Sequence, residues 1–220
     1  SWRTEFPVIL ATLQAVAPIS PCLHDQTEDP AKSPMKIYAW QDVVDNPWEA
    51  ERPGMEGMSV SGDGTDTWMV LEIEANDFAS GSLHIYSVVA HEYWHVYQRG
   101  AWTGQGLSYP DWMWEGGAKV LEELYASEHY GQSEFDRSLF PVAATALANP
   151  SDFGLYAFKG GAVGGEYDRN YNTSAFMLLA LVKEVQERQG LTELESLGLV
   201  LKAPAPRGSK TPFLEVFGMS

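Results

Sequence analysis

The stretch from Leu83 to Gln98 constrains this chain more than any other. It is apolar on nearly every side, through Leu83, Ile85, Val88, Val89, Tyr93, Trp94 and Val96. A run of that length with apolar residues all round reads as a helix buried inside a domain, not one laid on its surface. Gly81-Ser82 opens it, and Gly100 is expected to end it. Within it stand His91 and His95, with Glu92 between them. Histidines four apart project from one helix face, a turn above each other, and can close on a single metal ion. Buried imidazoles are costly unless neutral and bonded, and ligation provides both conditions. Glu92 lies about 100° round the helix from His91, close enough to face a water on that ion.

Imidazole ligands and an open position for water suit Zn2+, a borderline-soft ion without redox chemistry. Two histidines with one carboxylate leave the fourth position free, and Glu115 is the best candidate for the carboxylate. It begins a helix after the Gly-rich link 101–110, which is long enough to let that helix pack across the first. An acid in a first helical turn is also favoured without any metal. Glu122, seven residues further on, either accepts the second N–H of a ligand histidine or is a solvated acid beside Glu123. His84 shares the stripe of His91 but stands about 10 Å away along the axis, so it reads as a core or supporting histidine. His129 reads as exposed at a helix end.

The segments around these residues predict an α+β fold. Thr4 caps a first helix with Pro7 in its opening turn, running to about Val16 before Pro18 and Pro21. This apolar segment, Phe6 to Ala17, is interrupted by Pro7 and Gln14 and reads as folded chain, not as a signal peptide. Met35–Trp40, Gly57–Ser61 and Trp68–Ile73 read as strands, the last with Trp68, Val70 and Glu72 alternating against Met69, Leu71 and Ile73. Residues 26–34, 46–54 and 154–165 read as loops, and 61–66 as a hairpin turn in which Asp63 and Asp66 are ordinary turn residues. Helices are expected over Asp111–Tyr130, Ser138–Ala148, Ala175–Gln189 (capped by Asn172, Thr173 or Ser174 and stopped by Gly190) and Thr192–Leu201. A last one starts at Thr211, after a linker over 203–209, and its meeting the chain end suggests a domain that continues past Ser220. The expectation is one domain over 1–220: an α/β lobe with the metal helix (1–100) and a helical lobe (101–220), with a cleft between them.

Composition excludes several functions. A net charge of −16 over 220 residues lacks the basic footprint of a nucleic-acid binder. No run of about 18 apolar residues exists, so no membrane span is expected. The single cysteine, Cys22, rules out an intrachain disulfide framework and leaves the compartment open, with an extracellular or periplasmic setting favoured.

Around these motifs the chain resembles the gluzincins, zinc peptidases with His-Glu-x-x-His followed by a Glu on the next helix. Trp112-Met113-Trp114-Glu115-Gly116-Gly117-Ala118 with Glu122 is similar to the W-x-x-E-G-x-A-x-x-x-E pattern of aminopeptidase-N-like enzymes. The likeness covers roughly Met35 to Gln189. It implies a zincin-like two-lobed fold, His91, His95 and Glu115 as ligands of one Zn2+, and Glu92 as general base. It also implies a tyrosine that supports the oxyanion. Tyr171 stands at that point, reading Tyr171-Asn172-Thr173-Ser174 where the family has Tyr-x-Lys-Gly, with Tyr167 as competitor. The family's G-x-M-E-N strand is matched by Gly54-Met55-Glu56 without its Asn, which leaves Glu56 a weak amine anchor. The expected activity is hydrolysis of peptide or protein substrates, endo- versus exo-action being open. A substrate strand would add to an edge strand near Gly57–Ser61. Two alternatives remain: a catalytically inactive zinc-containing binding module, and a glycoprotein-specific zinc peptidase reading sugar through Trp102, Tyr109 and Trp112.

Overall fold

The computed structural model describes residues 2–19, 21, 35–62, 67–102, 109–132, 144, 148, 166–204 and 215–218. Among them are a three-stranded sheet and six helices, so the α+β expectation holds. In chain order these are α1 (Trp2–Val16), β1 (Lys36–Gln41), β2 (Met58–Gly62), β3 (Thr67–Ile73), α2 (Ala75–Ser80), α3 (His84–Trp102), α4 (Asp111–Tyr130), α5 (Glu166–Gln189) and α6 (Glu193–Val200). The expected helix at Ser138–Ala148, the turn at 61–66, the loops 26–34 and 154–165, the helix start at Thr211 and Cys22 lie outside the described residues or largely so.

The sheet has the order β1-β3-β2, with β1 parallel and β2 antiparallel to β3. Strand alternation decides what each face does. Met69, Leu71 and Ile73 enter the main core, whereas Val70 joins Tyr38 and Trp40 in a small separate cluster beneath Trp48, Met55 and Trp68. The Glu72 carboxylate on that second face accepts from Trp40 Nε1 at 3.2 Å and from the Gly57 amide at 2.6 Å, which ties the loop 42–57 onto the sheet.

Among the described residues β2 is an edge strand. The Glu72 amide donates to the Gly57 carbonyl, so by the alternation of an antiparallel ladder Met58, Val60 and Gly62 turn their backbone groups outward. Arg99, from α3, donates to two of those outward carbonyls, Val60 at 3.0 Å and Gly62 at 3.2 Å. Only the Met58 end of this edge has no such cover from Arg99.

Every residue of α3 from Ser87 to Gln98 is buried. Its burial on all sides is what the apolar sequence demanded, since neighbours surround it: α1, the sheet, α2 and α4. One continuous hydrophobic cluster joins buried residues of α1, β2, β3, α3, α4, α5 and α6. Two glycines let α4 lie close between its neighbours. A Cβ on Gly116 would meet the Ser174 carbonyl oxygen of α5 at 2.5 Å, and one on Gly117 would meet Trp94 Nε1 of α3 at 2.4 Å. Thr192 and Glu195 form a reciprocal capping box at the start of α6.

Three expectations change, and one helix was not expected. Gly100 does not end α3, which continues to Trp102. A glycine stops a helix by turning left-handed, as Gly190 does after α5 at φ 68°, whereas Gly100 keeps a negative φ. α5 begins at Glu166, so Asn172, Thr173 and Ser174 are interior helical residues, not caps, and Thr173 and Ser174 are buried. α1 already starts at Trp2, ahead of Thr4. The short α2 carries too few residues for an apolar period to betray it.

Candidate metal centre

α3 and α4 between them carry the whole site. His91 and His95 lie one turn apart on α3, with ring centroids 5.1 Å apart. Each presents Nε2 to the same oxygen of Glu115, in the first turns of α4: 3.5 Å from His91 and 3.5 Å from His95. The donor atoms of these three residues lie within 4.8 Å of one another, and among the described residues this is the one cluster of its kind.

That group could hold a metal ion, and two features of it fit one. Glu115 Oε2 is buried without a hydrogen-bond partner, an expensive state for a carboxylate oxygen unless a cation occupies the space before it. Ligands at about 2.1 Å from a tetrahedral ion sit about 3.4 Å from each other, close to the two nitrogen–oxygen separations found. Two imidazoles and one carboxylate leave a fourth position open. The donor set alone does not choose between zinc and other divalent ions.

The far nitrogen of each ring is engaged as well. His91 Nδ1 stands 3.3 Å from Glu122 Oε2, and the other oxygen of Glu122 accepts from the Ser87 hydroxyl at 3.1 Å. Lys119 sits 3.3 Å from Glu122 and 3.2 Å from Glu123. Glu122 is therefore not a solvated acid: it is buried behind His91. His95 Nδ1 stands 2.7 Å from the Gln98 side-chain oxygen, and Gln98 Nε2 donates to the carbonyls of Met113 and Trp114 at 3.3 and 3.1 Å. The Trp114 indole stacks on the His95 ring, centroids 4.9 Å apart and planes 13° from parallel.

Charge is strongly redistributed within this pocket. Burial alone would push the His91 imidazole down, but Glu115 and Glu122 overcome it and hold the group at about 10. Burial would raise Glu115; His91 and His95 outweigh it and hold its carboxyl well below the usual range. Burial also opposes ionisation of Glu122, and Lys119 followed by His91 reverses it. Glu92 behaves oppositely: burial lifts its carboxyl, and the facing His91 and His95 offset that only in part. Glu92 is 4% exposed, stands outside that donor group, and among the described residues leaves Oε2 without a hydrogen-bond partner. The arrangement joins a three-donor cradle to a separate buried acid whose affinity for a proton is raised.

Of the residues singled out in the sequence, His91, Glu92, His95, Glu115 and Glu122 come together. His84 does not belong with them: its side chain is 44% exposed and pairs with Asp77 at 2.9 Å, because the short α2 brings that acid to the start of α3. His129 is exposed at the end of α4, 3.5 Å from the Thr12 hydroxyl. Glu56 is exposed on the loop before β2. Tyr171 and Tyr167 fall on the first turns of α5, not ahead of it, and their side chains lie outside the described residues, as does that of Trp102. Tyr109 is buried and donates its hydroxyl to the Leu201 carbonyl at 2.7 Å.

Gln98 and Trp114 escaped the sequence reading. The available signal was weak: an amide on a largely apolar helix, three positions after a candidate ligand histidine, and an aromatic beside a candidate ligand carboxylate. No protein-family model, curated protein or solved structure matches the chain.

Proposed function

We propose that the protein is a zinc-dependent peptidase with a zincin-like architecture, in which His91, His95 and Glu115 hold one Zn2+ and Glu92 is the general base. One observation carries the reading: beside a two-histidine, one-carboxylate donor set lies a further buried acid, Glu92, that stands outside the set. A binding module needs the cradle but has no use for the acid. The small sheet ahead of the metal helix and the helices after it agree with such an architecture, as does the gluzincin-like spacing of the motifs.

An ion bound there would supply Lewis acidity toward a peptide carbonyl and lower the pKa of a water to about 7. The residues of the chain do the rest. Glu92, with its proton affinity lifted by burial, takes the proton of the attacking water and returns it to the leaving amine. Glu122 and Gln98 hold the two imidazoles in orientation. α3 is buried from Ser87 to Gln98, so its side of the site faces packed protein. A substrate strand adding to β2 would pair at Met58, because Arg99 holds the Val60 and Gly62 carbonyls. An oxyanion donor is proposed at Tyr171, with Tyr167 as its competitor.

The test is elemental analysis of the purified protein together with cleavage of a broad peptide library, for the unaltered chain and for Glu92→Gln. One zinc per chain in both, with chelator-sensitive cleavage lost by on the order of 100-fold or more in Glu92→Gln, is expected. Zinc without cleavage in the unaltered protein would leave an inactive binding module. Cleavage that persists in zinc-loaded Glu92→Gln would sink the assigned mechanism. Tyr171→Phe is expected to lower turnover with zinc retained, and unchanged turnover would exclude that residue.

A further inference from the structure

We propose that Gln98 is a positioning residue that selects the tautomer of His95 and so decides which ring nitrogen faces the ion; this rests on the metal-centre reading above. The argument is one of donors and acceptors. Gln98 lies on α3 at 0% exposure, so no bulk water relays its contacts. Its amide end meets the Met113 and Trp114 carbonyls, at 3.3 and 3.1 Å. Carbonyl oxygens only accept, so the nitrogen of the amide must face them; the reversed amide would set its own oxygen against two others. The oxygen of Gln98 is thereby left for His95 Nδ1, 2.7 Å away. An amide oxygen also only accepts, so Nδ1 must carry a hydrogen. In the neutral ring the lone pair then stands on Nε2, the atom directed at Glu115.

Two further contacts serve the same end. The carbonyls that orient Gln98 belong to the residues directly before Glu115, so one side chain ties the ligand carried by α3 to the helix that carries the third ligand. Trp114 contributes its indole as well, stacked on the face of the same imidazole. The His95 ring is therefore held at an edge by Gln98 and on a face by Trp114. His91 receives a carboxylate instead, through Glu122, which makes the two imidazoles unequal in ligand basicity.

The experiment uses zinc-loaded protein with 15N-labelled histidine, for the unaltered chain and Gln98→Met. NMR is expected to show His95 ligating through Nε2 with a hydrogen-bonded, slowly exchanging proton on Nδ1. In Gln98→Met that proton should lose its protection, and zinc affinity by chelator competition should fall about 10–100-fold. A His95 that ligates through Nδ1, or lacks the Nδ1 proton, in the unaltered protein overturns the proposal. So does a Gln98→Met variant that folds, keeps the protected proton and binds zinc as tightly as before. If that variant fails to fold, the spectrum of the unaltered protein still decides. Failure of the unaltered protein to take up zinc is a distinct result: it removes the metal-centre reading itself, and this proposal with it.

Discussion

Glu115 is where removal of one side chain should be felt most. Its buried oxygen faces two imidazole nitrogens, and without it two neutral ligands remain. Glu115→Ala should retain less than one tenth of the metal held by the unaltered protein after dialysis against a mild chelator, read by elemental analysis. Retention of one ion per chain would place the third ligand elsewhere. The charged state of His91 gives a second prediction, for the metal-free protein. Its pKa stands at about 10 against an ordinary 6.5. A group raised on folding contributes stability that is whole below pH 6.5 and is lost as pH climbs through about 10. Glu115 and Glu122, held low, add stability that is present above the ordinary carboxylate range and lost in acid. Thermal unfolding in chelator should therefore weaken steadily from about pH 7 to 10, and with zinc in place of the proton that slope should flatten. A metal-free protein equally stable at pH 7 and 10 would contradict the charge assignment.

α4 packs against α5 at Gly116 and against α3 at Gly117, and that packing predicts a cost for added bulk. At Gly116 a Cβ would press on backbone, the Ser174 carbonyl, at 2.5 Å. At Gly117 it would press on the Trp94 indole at 2.4 Å, a side chain that can shift more readily. Gly116→Ala should therefore destabilise more than Gly117→Ala, by about 1–3 kcal/mol. That corresponds to a fall in Tm of about 2–4 °C for each kcal/mol in a chain of this size. Calorimetry on both variants checks the order, and a smaller loss at Gly116 would mean that α5 yields easily. Arg99 makes a comparable tie between the last turns of α3 and the β2 edge. The same tie occupies two carbonyls that the β2 ladder itself leaves unpaired.

One hydrophobic cluster joins β2, β3, α3 and the later helices, so an ion bridging α3 and α4 should stabilise the whole unit. With zinc at 1,000 times its Kd, linkage gives about 4 kcal/mol. Unfolding with and without chelator should differ by that order, and no difference would argue that the donor group stays empty. Among the described residues no helix is long and apolar enough to cross a membrane.

Local pattern carried a large part of this protein. Alternation located β1 and β3 to within about two residues, because a strand's two faces are written directly into its sequence; the short β2 was placed as closely, without that signal. The buried helix, its two histidines and Glu92 were legible for the same reason: helical spacing places them on known faces without help from the rest of the fold. Glu115 and Glu122 were legible as candidates on a second helix, but two helices do not reveal their mutual register. Only packing brought Glu115 Oε2 against both Nε2 atoms and Glu122 behind His91. Helix ends were least readable. Gly100 and Ser174 carry local stop and start signals that tertiary contacts override, since a helix persists wherever burial outweighs the few tenths of a kcal/mol that propensity contributes. Gln98 could not be found from the chain alone, because its role depends on carbonyls fifteen and sixteen residues away that only the folded backbone sets before it.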